Sequence, residues 1–183
     1  LYIPSVLTWK EKSLKLRMTT DYPEHGKVVI KLEETSKEPL TINLRRPVWA
    51  AGDVAIRING SKQKVESVPG SFISLHRKWK KNDVIELILP MPLYTVSMPD
   101  NVDRRAVFYG PTILAGTFGT EKRKMGDIPV FVSEEKSLTN YIKKISDTSV
   151  SFVTTLPGGP DNVKMLPFYK VADENQTVYW DVY

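Results

Sequence analysis

Hydrophobic and polar residues alternate at every second position in short runs along the N-terminal half of the chain. The apolar positions of six such runs begin near Leu14, Val28, Leu40, Val54, Phe72 and Val84. Because successive side chains of a β-strand point to opposite faces of a sheet, this period predicts half-buried strands. Between the runs lie turn residues, such as Asn59-Gly60 and Pro69-Gly70, which tolerate the backbone of a tight turn.

The spacing of these runs indicates the fold class. Strand-sized segments at intervals of roughly 8–12 residues are typical of a sandwich or barrel. No helical pattern of roughly 10–15 residues lies between them to build the crossovers of a parallel sheet. The sequence therefore predicts an all-β fold, an antiparallel β-sandwich of jelly-roll or immunoglobulin-like type, over residues 1–118.

The pattern loosens beyond Gly116. We predict that residues 119–183 form a smaller, mostly-β module, which packs on the sandwich or completes it. Within this module, apolar residues of segment 137–145 recur at i, i+3, i+4 and i+7, and Ser137 is placed to cap them. This spacing predicts one short helix.

Charge and hydropathy narrow the choice of partners. The chain has 183 residues and a formal net charge of +5, with 26 Lys and Arg against 21 Asp and Glu. The basic residues are interleaved with acidic ones along the sequence, whereas nucleic-acid binders concentrate charge on one face or helix. No apolar run approaches the roughly 20 residues that cross a bilayer. We therefore predict a solvated basic surface, with neither nucleic acid nor a membrane as partner.

Reactive and metal-binding residue types are scarce. The chain has no cysteine, and its two histidines, His25 and His76, lie far apart in sequence. A zinc site needs three or four nitrogen or sulfur ligands, which this composition does not offer at close spacing. Nucleophile-elbow, phosphate-loop and dinucleotide motifs are missing from the sequence as well. The sequence predicts no catalytic residue, no cofactor and no metal ligand in this chain.

Aromatic residues are the remaining candidates for a binding role. The chain has four tryptophans and eight tyrosines. Trp79 and Trp180 are candidate carbohydrate contacts, because sugars stack on exposed aromatic rings. Large aromatic residues of a β-sandwich also fill its core. A sugar-stacking platform and a structural role therefore both stay open.

An ordered series of short motifs runs through the chain. It comprises Leu44-Arg45-Arg46-Pro47-Val48-Trp49, Ile58-Asn59-Gly60, residues 72–79 followed by Asn82-Asp83, Leu87-Ile88-Leu89-Pro90-Met91, and Ala106-Val107-Phe108-Tyr109-Gly110-Pro111. In this order the motifs resemble glycoside hydrolase family 127, the β-L-arabinofuranosidase-like group that was long described as a domain of unknown function.

The resemblance implies that this chain is a C-terminal β-sandwich region of such an enzyme and lacks its catalytic domain. In the family, an (α/α)-barrel N-terminal to this region carries the catalytic cysteines and glutamate. The implied role is non-catalytic support of that barrel, the implied partner is the barrel itself, and the implied parent is periplasmic or secreted. A large apolar surface patch is expected where the barrel docks. The alternative is an independent module that binds plant polysaccharide through exposed aromatics.

Overall fold

A computed structural model gives the fold and describes residues 2–121, 130–132, 137–155 and 162–183. The chain divides into two compact units, Leu1–Pro92 and Leu93–Tyr183. This division lies well before the predicted boundary at residue 118. Strands at 104–109 and 112–117, which the sequence analysis assigned to the sandwich, pair instead with strands of the C-terminal unit. Local alternation does not reveal this partition, because a strand has the same period whichever sheet it joins.

The N-terminal unit is built from strands that connect through short turns. They are β1 (Ser5–Trp9), β2 (Leu14–Thr20), β3 (Lys27–Glu34), β4 (Leu40–Arg45), β5 (Ala55–Ile58), β6 (Ser61–Gln63), β7 (Phe72–Arg77) and β8 (Val84–Ile88). Six of them form an antiparallel sheet in the order β1-β2-β3-β8-β5-β6, and β4 pairs with β7 in a second, two-stranded sheet. The predicted all-β, antiparallel, sandwich-like fold is confirmed.

The core of this unit lies between its two sheets. Register places Ile30 opposite Ile85 and Val28 opposite Leu87, so the apolar positions of neighbouring strands align on one face. None of these four side chains is more than 4% exposed. Fully burying an aliphatic side chain of this size stabilises a fold by roughly 1.5–3 kcal/mol. Leu44 of β4 and Ile73 of β7 cover the same cluster from the second sheet.

The C-terminal unit contains one further sheet. Its strands are β9 (Leu93–Ser97), β10 (Arg104–Tyr109), β11 (Thr112–Thr117), β12 (Val130–Phe131), β13 (Ile142–Lys144), β14 (Phe152–Thr154), β15 (Lys164–Pro167), β16 (Gln176–Thr177) and β17 (Tyr179–Val182). The described pairings are antiparallel except that of β12 with β17. Trp180 is fully buried at the centre and meets Phe131 edge to face, with 4.7 Å between ring centroids.

The helix predicted over residues 137–145 is wrong. Only Leu138–Tyr141 forms a short 3₁₀ helix, and Ile142–Lys144 continues as strand β13. Ile142 lies opposite Thr154 of β14, and Lys144 lies opposite Phe152. Buried Leu138 and Ile142 satisfy a helical spacing and this turn-then-strand path equally well. Strand pairing decides between the two, because it satisfies the backbone while Ile142, a β-branched residue, suits a strand.

Candidate docking surface

The sequence motifs of the N-terminal unit form polar contacts within the fold. Asn59 has a positive φ of 51° in the turn between β5 and β6. Its side-chain Nδ2 donates to Asp83 Oδ1 at 2.8 Å, and its Oδ1 accepts from the backbone N–H of Val84 at 2.9 Å. Asp83 Oδ2 also accepts from the backbone N–H of Lys80 at 2.8 Å. These bonds connect the turn at Asn59-Gly60 with the turn at Asn82-Asp83, so both motifs stabilise the fold.

The Asp83 carboxylate is ionised in its contact with Asn59 and Lys80. Burial raises the pKa of its carboxyl, but hydrogen bonds from Asn59 and from the Lys80 backbone, with the nearby charge of Arg77, lower it more. The pKa of Asp83 therefore lies below its ordinary value. A carboxylate held ionised by backbone and amide donors is an acceptor and not a general acid.

Arg46 forms a second buried contact. Its guanidinium donates through Nε to the Ala50 carbonyl at 3.2 Å, through Nη1 to the Ser67 carbonyl at 2.5 Å, and through Nη2 to the Gly52 carbonyl at 2.7 Å. The residue is only 8% exposed. The side chain thus connects the segment after β4 with the segment before β7. Its donors are used within the fold, which argues against a ligand-binding role.

Trp79 does not offer a face to a sugar. Its side chain is 3% exposed, and its indole Nε1 donates to the Leu40 carbonyl at 3.0 Å. The Arg77 guanidinium lies over the ring, 5.3 Å from its centroid. Trp79 is a core residue that joins the loop after β7 to the start of β4.

Trp180 is placed similarly. Its side chain is fully buried, and its ring lies 6.4 Å from that of Phe118 as well as against Phe131. Gly116 lies so close that an added Cβ would be 2.6 Å from the ring. The compact cores enclose both rings, so neither Trp79 nor Trp180 presents an open ring face on which a sugar could stack.

No metal centre emerges from the part of the chain that the structure describes. Within those residues, no three side chains of His, Cys, Asp or Glu come together in a group that could hold an ion. His76 Nδ1 instead lies 2.8 Å from Thr41 Oγ1, across the β4–β7 pair. The described helices are all too short to cross a membrane.

An apolar patch lies at the β1 edge of the six-stranded sheet. Leu7 pairs with Leu16, and Trp9 pairs with Leu14, so these side chains share the face that carries the core. Leu14 is buried, but Leu7 is 52% exposed and Trp9 is 45% exposed. Leu16 and Met18 of β2 are partly buried against the core. We call Leu7, Trp9, Leu16 and Met18 the edge patch.

The architecture explains the edge patch. The apolar face of the six-stranded sheet extends over β1, β2, β3, β8 and β5, whereas only the two strands β4 and β7 form the opposing sheet. The covering sheet shields β3, β5 and β8, and the core face continues past it onto β2 and β1. Contiguous exposed apolar surface is uncommon on a monomer and marks an interaction site. The resemblance led us to expect an apolar patch, but the sequence did not place it at β1, because the exposure of Leu7 and Trp9 depends on which strands the opposing sheet covers.

The N-terminal unit coincides with a known protein family. The family model of the β-L-arabinofuranosidase GH127 middle domain matches residues 1–91, the same part of the chain as the unit Leu1–Pro92. This match defines the class as a β-rich domain of a glycoside hydrolase. The N-terminal unit therefore matches the GH127 glycoside hydrolase family as its middle domain, in agreement with the motifs of residues 44–91. No curated protein sequence matches the chain significantly.

Solved structures share the fold of the whole chain. A GH127 β-L-arabinofuranosidase from Geobacillus stearothermophilus T6 superposes with a TM-score of 0.74 at 17% identity, over 100% of this chain and 33% of that one. The GH127 β-arabinofuranosidase BT3674 gives a TM-score of 0.75 at 20% identity, over 100% and 34%. A protein described as a glycoside hydrolase gives 0.71 at 20% identity, over 97% and 34%. The chain thus spans about a third of the length of these proteins.

Proposed function

We propose that this chain is a non-catalytic supporting region of a GH127 glycoside hydrolase, whose reaction takes place in an N-terminal (α/α)-barrel domain. The matching family model is that of a middle domain, which implies further sequence on both sides of it in the family. The three similar structures are about three times as long as this chain. In this proposal, residues 1–91 follow the barrel, and the unit Leu93–Tyr183 forms the C-terminal region.

The edge patch is the observation that carries the proposal. It extends a formed core with apolar side chains that no strand of the opposing sheet covers, and Leu7 and Trp9 remain about half exposed. A second protein surface with matching apolar side chains would complete this layer. The hydrophobic gain is about 25 cal/mol for each Å² of apolar surface removed from water. We propose that the barrel domain of the parent supplies that surface.

The alternative of an independent module that binds sugar through exposed aromatic rings is not favoured. It required exposed coplanar rings around Trp79 or Trp180, and both rings are buried. The polar contacts of Arg46, Asn59 and Asp83 likewise serve the fold. Support of a neighbouring domain is therefore the function that this geometry favours.

The catalytic part of the proposal is tested with an aryl β-L-arabinofuranoside. The isolated 183-residue chain is expected to release no chromophore above the buffer blank, whereas the full-length parent is expected to turn the substrate over. Turnover by the purified chain alone would refute the non-catalytic role. Absence of turnover in the full-length parent would refute the glycoside hydrolase assignment for this substrate class.

The docking part is tested in the full-length parent with Leu7→Ser and Trp9→Ser combined. Because both side chains are about half exposed in this chain, the isolated chain should lose little stability. The parent should melt several degrees lower and lose activity in proportion to the loss of the docked form. Val68→Ser with Val102→Ser is the matched control, since those valines are 66% and 67% exposed outside the edge patch. Equal effects of the two double variants in the parent would contradict docking at the edge patch.

A further inference from the structure

The face of the six-stranded sheet that points away from the core is rich in cations. Strand register places Arg17, Lys31 and Arg57 on this face, because each alternates with core residues, and Lys62 joins them because it lies opposite Arg57. Lys15 and Lys27 lie on the same face. We call this surface, with its six cations Lys15, Arg17, Lys27, Lys31, Arg57 and Lys62, the cationic face.

Its charge is concentrated by the fold and not by the sequence. The carboxylates on this face are Glu86 and the two residues at the β3 bulge, Glu33 and Glu34. Six cations against three carboxylates leave a formal charge of +3 on one sheet face, out of +5 for the whole chain. Along the sequence these cations are spread from residue 15 to residue 62. Interleaving along the sequence therefore does not prevent cations from gathering on one face of this unit.

The carboxylates are already paired, which leaves part of the cationic face open. Glu33 contacts Lys15 and Arg17, and Glu86 contacts Lys27 at 2.9 Å. Hydrogen bonds from these basic side chains lower the pKa of both carboxyls. Within the described part of the chain, Lys31, Arg57 and Lys62 have no carboxylate within ion-pair distance. All three are exposed.

Two cross-strand pairs are unfavourable for the fold itself. Arg17 lies directly opposite Lys31 on β2 and β3, and Arg57 lies opposite Lys62 on β6 on one side and opposite Glu86 on β8 on the other. Like charges that face each other across a sheet destabilise it, by a few tenths of a kcal/mol to about 1 kcal/mol. The core face of the same strands is well matched, so folding does not require this arrangement. An anionic partner would turn both pairs from a repulsion into a binding surface.

Apolar side chains lie among these cations. Val6 is 46% exposed and Ile88 is 40% exposed, and Val29 lies between them in partial exposure on the same face. The register gives this face no aromatic side chain from any of the six strands. Single-stranded nucleic acids are held by stacking on aromatics, and duplex DNA is read by a helix or a two-stranded ribbon in its groove. A broad six-stranded face with aliphatic and cationic side chains fits neither mode.

We infer that the cationic face binds an acidic polysaccharide, a polymer whose sugar units carry uronate carboxylates. Arg57 and Arg17 can each bind a carboxylate in a two-pronged manner, and the lysines add point charges. The C–H faces of the sugar rings would rest on the aliphatic side chains. This assignment rests on the proposed function, because a glycoside hydrolase is a protein whose natural surroundings contain such polymers. The face would hold the parent on its substrate polymer without taking part in the reaction.

The test is retardation of the 183-residue chain in gels that contain polygalacturonate, followed by calorimetric titration at about 20 mM and about 150 mM salt. Binding is expected at low salt and should weaken at higher salt, because screening shortens the reach of exposed charges. Fully methyl-esterified polygalacturonate, which has the same backbone without the charge, should bind far less. No retardation by polygalacturonate at low salt would overturn the inference.

A matched pair of triple variants locates the site. Lys31→Gln, Arg57→Gln and Lys62→Gln together should weaken binding by about tenfold or more, because charge contacts dominate affinity for a polyanion. The control removes the same charge at Lys37, Lys78 and Lys81, which are exposed in loops of the same unit, and should change affinity by less than about twofold. Equal loss in both variants would overturn the assignment to this face.

Two further readouts separate the outcomes. The triple variant on the cationic face should melt close to the unmodified 183-residue chain, because the like-charge pairs that it removes offset the lost attraction between Arg57 and Glu86. A loss of folding would show as a much lower melting temperature. Equal affinity for single-stranded DNA of similar charge density would overturn the polysaccharide assignment in favour of a general polyanion surface. Polygalacturonate binding by a chain whose full-length parent hydrolyses no arabinoside would refute the proposed function and leave this inference standing.

Discussion

Replacing Arg46 with Met tests whether the motif residues stabilise the fold or bind a ligand. Methionine keeps much of the aliphatic stem of arginine but removes every donor. The change therefore isolates four hydrogen bonds, three to the carbonyls of Ala50, Gly52 and Ser67 and one to the Ser67 hydroxyl. If the motif served ligand binding, its loss would change affinity and leave the fold intact. We expect the opposite.

The size of the effect follows mainly from the three carbonyl acceptors, because the Ser67 hydroxyl can rotate to another partner or to water. Ala50 is fully buried, so water cannot easily replace the donor that its carbonyl loses, at a cost of about 1–3 kcal/mol. Gly52 is exposed and Ser67 is partly buried, so their carbonyls can be rehydrated, at a cost of roughly 0.5–1 kcal/mol each. Removing a buried charge offsets part of this loss. The expected loss of unfolding free energy is about 3 kcal/mol, which corresponds to roughly 10–20 °C in melting temperature for a unit of this size.

Urea unfolding followed by tryptophan fluorescence measures this loss. Three of the four tryptophans, Trp9, Trp49 and Trp79, lie in the N-terminal unit, so the emission reports mainly on that unit. The control is Arg57→Met, the same change at an exposed arginine, with an expected effect within about 0.5 kcal/mol. A loss below about 1 kcal/mol for Arg46→Met, or a loss equal to that of the control, would refute the reasoning.

Three other changes probe the remaining contacts. Asp83→Asn should cost about 2 kcal/mol in urea unfolding, because an acceptor of the Asn59 contact is lost or reversed. The pKa of Asp83 is lowered in the folded state, so its share of stability is present above the ordinary value of 3.8 and is lost as the pH falls through the folded value; the variant should lack that acid-dependent share. Trp79→Phe should cost about 1–2 kcal/mol and leave retardation by any polysaccharide unchanged; weaker retardation would restore the sugar-contact interpretation. Gly116→Ala should cost about 1–3 kcal/mol in thermal unfolding, because the new Cβ would lie 2.6 Å from the ring of fully buried Trp180; an unchanged melting temperature would contradict this packing.

The strands of the N-terminal unit and its family resemblance could be predicted from the sequence. Alternation marked the strands because the side-chain period of a strand is local. The motif residues were informative because each has a demanding local role: Asn59 has a positive φ, and Asp83 caps the turn that follows Trp79. Their order along the chain was therefore enough to indicate a GH127 region, although their chemistry gave no hint of a reaction.

Other features depended on contacts between distant residues. The sequence left open whether Trp79 and Trp180 lie at the surface or in the core, because tryptophan is found in both places. Contacts with distant residues decide it: Trp79 donates to the Leu40 carbonyl on β4, and Trp180 packs against Phe131 on β12. The segment 137–145 fits a helix by spacing, and pairing with β14 makes its second half a strand. The unit boundary moved to residue 92 because β10 and β11 find partners much later in the chain.

The sequence by itself determined the period of each strand, the chemistry that is missing and the family of the N-terminal unit, because these depend on residue types and on spacing within a few positions. Only the tertiary structure decided which side chains share a face. Two strands cover part of a six-stranded sheet, which leaves Leu7 and Trp9 about half exposed on the core side. On the other side, the register gathers cations from residues 15 to 62 onto one surface. Both surfaces are sums over strands that are far apart in sequence, and sheet pairing is what brings them together.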